Sequence, residues 1–103
     1  MSRSDPSRRV EKPLNLPGLA RTGAGAPQSV PGTRFEVSLL ETRTSSTLAE
    51  GRWLLLLAGE LIVDLPHGDF RILAEGDALR LPAGLEVACQ PVRPSVLLWA
   101  PAD

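Results

Sequence analysis

The sequence predicts an all-β domain, a barrel or sandwich of short strands, preceded by an extended basic arm. Three observations carry this reading. From residue 35 onward, short apolar segments recur at roughly eight-to-ten-residue spacing, each bounded by Gly, Pro or Asp. No segment in that region sustains the apolar period of a helix. Residues 1–34 have a different texture: they hold five of the ten prolines and four of the nine glycines, with neither alternation nor helical period.

Taken in order, the 1–34 region reads as an extended Pro/Gly-rich leader. Its piece PLNLPGLA carries three leucines, enough to dock as a strand, but the prolines favour irregular chain. FEVSLLET (35–42) alternates Phe35, Val37 and Leu39 against Glu36 and Ser38, a strand with one apolar and one wet face. RWLLLLA (52–58) is apolar on both faces and reads as a central strand. After Gly59, ELIVDL (60–65), the PHGD turn (66–69) and FRILA (70–74) read as a hairpin. Glu75-Gly76-Asp77 is a turn, ALRLP a short strand, Ala83-Gly84 a break and LEVACQ (85–90) another strand. Pro91 and Pro94 bracket a bend before SVLLWA (95–100). The predicted division is a leader over 1–34 and a barrel over 35–103.

At 103 residues the chain is one domain at most. Its net charge of −1 gives no basic excess of the kind nucleic acid or anionic membranes select, so neither is expected as a partner. The charge is nevertheless uneven: residues 1–34 carry six Arg/Lys against two acids, and residues 35–103 carry five Arg against ten acids. Spread over thirty residues, the basic charges form no patch, and the leader is expected to be solvated or docked on the surface. Cys89 is the only cysteine, which excludes an intrachain disulfide and a cysteine-only zinc site. The N-terminus has no apolar run behind its charges, and the longest apolar run, WLLLLA at 53–58, is too short to cross a bilayer. Both point to the cytoplasm.

In GDALRLPAGLEV (76–87), Gly76 is followed after five residues by Pro82-x-Gly84, with Asp77 directly after the first Gly. Upstream, GRWLLLLAGELIVDL places Gly59 in a hairpin-like setting. On these residues segment 51–91 resembles the cupin superfamily, in particular its small single-domain cupin-2-like members. That resemblance implies a double-stranded β-helix, or jelly-roll barrel. It also implies four metal-ligand positions, and none of them carries a ligand here. The Glu position, seven before Gly59, is Arg52; the His pair falls in the Ser45–Leu48 stretch; the last His position, three after Gly84, is Val87. A fixed guanidinium charge would repel a divalent ion, so no metal, no cofactor and no metal-dependent catalysis are expected at that place.

Other catalytic sets are no better supplied, and no catalytic residue is assigned. His67 is the only histidine and lies in the 66–69 turn, where a solvated side chain is expected. Cys89 lacks a neighbouring base and reads as a packed core residue. There is no Tyr. What remains is binding. By alternation Arg52, Leu54, Leu56 and Ala58 share the face that the resemblance makes the barrel interior, and Leu85, Val87 and Cys89 share it from another strand. The expected site is therefore an apolar cavity with Arg52 near its mouth, Ser46 beside it, and Leu54, Val87 and Cys89 within. It would suit a small organic ligand with an apolar body and a carboxylate. In the alternative, Arg52 turns outward or pairs with Glu50 or Glu86, and large side chains fill the barrel. The opposite face shows Trp53, Leu55 and Leu57, and Trp99 lies on the last strand. Such two-sided apolarity, with the resemblance, implies a homodimer. The leading functional reading is a metal-free small-molecule-binding or accessory protein. The others are a metal-independent isomerase or epimerase of the same superfamily, and a structural or interaction module.

Overall fold

The computed structural model describes residues 10–102. In chain order its elements are helix α1 (Leu16–Thr22) and strands β1 (Gln28–Ser29), β2 (Glu36–Leu40), β3 (Thr44–Thr47), β4 (Arg52–Asp64), β5 (Phe70–Leu73), β6 (Ala78–Leu81) and β7 (Glu86–Pro101). All strand pairings are antiparallel.

Two long strands organise the chain. β4 and β7 pair with each other over most of their length, and each end of the pair gathers different neighbours. At one end β1 and β2 continue the sheet beyond β7, and β6 flanks β4. At the other end β3 flanks β7 and β5 flanks β4. The main core joins both ends, with Leu54, Leu56 and Leu97 from one and Leu61, Val63, Leu73 and Val87 from the other.

The length of these strands corrects two sequence expectations. Gly59 does not separate two strands, and Pro91 and Pro94 do not break β7. The register instead shifts between Leu56 and Leu61, so the chain bulges without ending. Because side chains alternate, the irregularity moves the core face from Leu54 and Leu56 to Leu61 and Val63. Gly59 makes this possible: its φ is +100°, and a Cβ there would lie 2.4 Å from Ser95 Oγ and 2.7 Å from the Pro94 carbonyl oxygen. Ser95 is fully buried. Its Oγ accepts from Glu60 N–H at 3.2 Å and donates to the Arg93 carbonyl at 2.7 Å, satisfying groups the bulge leaves out of the ladder. Pro94 falls in the register gap, where a missing N–H costs no ladder bond. The same switch corrects Ala58, which packs outside with the helix rather than in the barrel.

The leader is also not wholly extended. Asn15 Oδ1 accepts from Gly18 N–H at 3.1 Å, Pro17 occupies the first turn, and Gly23 closes α1. The helix and Val30 cover the outer face of the sheet, where Ala20, Val37, Val96 and Leu98 form a second apolar cluster that Leu55 and Leu57 join. That face, expected to need a second copy of the chain, is thus largely covered from within. Residues 1–9 of the expected leader, and Asp103, lie outside the described residues.

The hairpin at 60–74 forms as predicted, with Asp64 opposite Phe70. Asp69 Oδ1 accepts from Arg71 and from Phe70 N–H in its turn, and these bonds hold its carboxyl below the usual range. β3 was not foreseen as a strand: all four of its residues are exposed, so they carry no apolar pattern, and only pairing to β7 orders them.

Candidate functional site

β2 decides the character of the barrel mouth. Its alternation is real, but its faces are the reverse of the simple expectation. Val37 and Leu39 point to the cluster under α1, which buries Val37 fully and Leu39 in part. Glu36, Ser38 and Leu40 point into the barrel. Register then sets their neighbours: Glu36 is opposite Trp99, Ser38 opposite Leu97, and Trp99 in turn opposite Leu54. From the far side β3 brings Ser46 opposite Val87 and Thr44 opposite Cys89.

These strands form a half-open cavity of about 220 Å³. Arg52, Glu36 and Trp99 stand on its wall, with the hydroxyls of Ser38, Thr44 and Ser46 and the thiol of Cys89. Leu40, Leu48 and Leu97 supply apolar surface, and Gly25 and Pro27, from the loop after α1, line its rim. Ser38 is only 2% exposed, and what it exposes faces the cavity. The barrel is therefore not filled at this end.

Of the five residues expected at the site, Arg52, Ser46 and Cys89 line the cavity. Leu54 and Val87 do not; they are buried in the main core together with Cys89. Arg52 neither turns away nor pairs with Glu50 or Glu86. Its Nη1 donates to Glu36 Oε1 at 3.2 Å, while Glu50 pairs with Arg34 at 3.7 Å. Both members of the Arg52–Glu36 pair are more than a third exposed, so solvent screening leaves the pair little weight in stability. Trp99, expected with the outer apolar residues, faces inward. Glu36, Ser38 and Trp99 are the site residues that sequence reasoning missed. The signal was present in the alternation of FEVSLLET; what was lacking was the helix that reverses its meaning.

Cys89 is buried, and burial pushes its thiol up from the ordinary value of 9.0 to about 11. The nearby Arg43 charge opposes this shift and the Asp64 charge adds to it. Arg43 and Asp64 are themselves an ion pair. The thiol is neutral at physiological pH, which suits a wall residue and not a nucleophile. His67 lies exposed in the 66–68 turn with φ of 64°.

The positions that the resemblance assigns to metal ligands can be tested on their chemistry. They hold a serine- and threonine-rich strand, a guanidinium already paired with Glu36, and the apolar Val87. Neutral hydroxyls are poor ligands, and a guanidinium has no lone pair to give. Among the described residues, no group of three or more His, Cys, Asp or Glu is placed to hold a metal ion. These residues do not fit a divalent ion.

Solved structures share this architecture. Protein NMB1881 from Neisseria meningitidis superposes with a TM-score of 0.72 at 16% identity, over 84% of this chain and 94% of that one. A cupin-2 domain containing protein from Shewanella frigidimarina gives 0.64 at 15% identity, over 74% and 79%. The fold is the cupin fold. Hydroquinone 1,2-dioxygenase from Sphingomonas sp. TTNP3, with 4-hydroxybenzoate bound, gives 0.59 at 17% identity, covering 65% of this chain and 57% of that one. No family model matches the chain, and no curated protein does. Among the described residues of this cupin-fold chain, no helix is long and apolar enough to cross a membrane.

Proposed function

We propose that the chain is a metal-independent, small-molecule-binding protein built on the double-stranded β-helix of the cupins. The cavity at the barrel mouth carries this reading, because it combines a nearly buried hydroxyl, Ser38, with the Arg52–Glu36 pair and an inward tryptophan. A core built only for stability would favour an apolar residue over Ser38, which is 2% exposed and faces the cavity. With no group of three His, Cys, Asp or Glu placed to hold a metal among the described residues, these side chains themselves do the recognising. The cavity, at about 220 Å³, is smaller than the sites that take drug-sized ligands, so the ligand is a small one.

The reading includes a homodimer, now on different grounds. Phe70 and Ile72, on the edge strand β5, are 52% and 61% exposed, and α1 covers neither. A second copy laid against β5 would remove them from water. Light scattering is expected to give twice the mass of the 11.0 kDa chain; the mass of one chain at micromolar concentration contradicts the dimer.

A thermal-shift screen of chelator-treated protein against sugars, polyols and small carboxylates, 4-hydroxybenzoate among them, tests the binding reading. Ligands that prefer the native state raise its apparent stability. A rise that is lost in Arg52→Ala supports the cavity. Silence across every class, with the fold intact, contradicts it and favours a structural role.

A further inference from the structure

We infer that the barrel mouth recognises a neutral vicinal diol carried on a small apolar body, not a carboxylate. The inference rests on the proposed binding function and names the head group that the site takes.

The charges at the mouth are balanced. Arg52 is held by Glu36 at 3.2 Å, and on the far side of this pair a second hollow of about 230 Å³ contains Arg34, paired with Glu50 at 3.7 Å. Glu36, Arg52 and Trp99 form the wall common to both hollows. An arriving carboxylate meets two cations already matched by two anions, and beside Arg52 it lies against the like charge of Glu36.

A pair of adjacent hydroxyls meets the opposite situation. The Arg52–Glu36 pair is joined by a single contact, Nη1 to Oε1. A guanidinium has five N–H donors and a carboxylate accepts at both oxygens, so a singly bonded pair keeps a donor and an acceptor side by side. One hydroxyl of a diol donates to Glu36 while its neighbour accepts from Arg52, and neither charge has to leave its partner. Ser38 Oγ, nearly buried and facing the same cavity, is a further hydrogen-bonding group for the head. Leu40, Leu48, Leu97 and Trp99 receive the apolar body.

Three probes with one common body separate the head groups: cis-vicinal cyclohexanediol, cyclohexanol and cyclohexanecarboxylate. Each is titrated into the full chain carrying Trp53→Phe, so that Trp99 is the only fluorescent tryptophan. The expected result is a Trp99 response to the diol that salt does not abolish, with cyclohexanol and the carboxylate each at least about tenfold weaker. Glu36→Gln, which keeps size and removes charge, should weaken the diol about tenfold; Arg52→Lys should do the same by removing the planar fork. A carboxylate that binds more tightly than the diol, and more tightly still in Glu36→Gln, overturns the inference and leaves the binding function standing. Equal affinity for cyclohexanol and the diol does the same. No Trp99 response to any of the three, in protein with an unchanged circular dichroism spectrum, overturns the inference; the binding function falls with it only if the sugar, polyol and carboxylate screen is silent as well.

Discussion

The two faces of β2 do opposite work with adjacent residues. On one side Val37 and Leu39 join the outer apolar cluster with Ala20 of α1. On the other, Glu36 and Ser38 look into a cavity inside the barrel. A sheet in a barrel ordinarily turns its apolar face inward and its polar face to water. Here a short helix from the N-terminal arm covers the outside, which frees the inside from being the only dry surface. The lesson is that an added cover on one face permits polar side chains on the other.

The largest expected effect is on the device that lets β4 change faces. Gly59→Ala places a methyl group within 2.4 Å of Ser95 Oγ at a φ of +100°, and should cost about 4 kcal/mol in urea unfolding. A cost below about 1 kcal/mol would mean that the bulge relaxes freely. Next comes the direct exchange between the faces. Val37→Ser, at a fully buried position in the outer cluster, should cost about 3 kcal/mol. Ser38→Val, one residue on, should change stability by less than about 1 kcal/mol, because its hydroxyl faces the cavity. Equal costs would erase the distinction between the faces.

A smaller effect tests how dry the cavity wall is at Cys89. Its thiol is raised from 9.0 to about 11 in the fold, so the folded state holds the proton more tightly than the unfolded one. The associated stability is fully present below pH 9.0 and is lost as pH rises through about 11. The loss should reach a few kcal/mol and be missing from Cys89→Ala, as read by denaturant unfolding along a pH series. The smallest effect is on the cover itself. Asn15→Ala removes the cap of α1 and should cost about 1 kcal/mol, with faster amide exchange in the helix.

How far the sequence disclosed all this follows from where the physical signal lies. The all-β class and the 60–74 hairpin were readable because short-range alternation and turn residues specify them; that Arg52 faces the barrel followed only from the resemblance. The resemblance to cupins, carried by Gly59, Gly76, Pro82 and Gly84, anticipated the fold that the solved neighbours share. The unbroken β4 and β7 were not readable, because a Gly or Pro marks a turn and a bulge alike, and only the partner strand distinguishes them. Glu36, Ser38 and Trp99 were missed for a related reason. Alternation says which residues share a face but not which face is inside, and that is decided by a seven-residue helix, capped by Asn15 with Pro17 in its first turn, too short to show a helical period.

The central claim is that the barrel mouth binds an organic ligand through its own side chains, without a metal. Calorimetric titration of cis-vicinal cyclohexanediol into chelator-treated protein, with the metal content measured on the same sample, tests it most directly. The predicted result is binding with no metal present, unchanged when zinc, iron or manganese is restored, and lost in Arg52→Ala. Binding that appears only after one of these metals is restored would contradict the account.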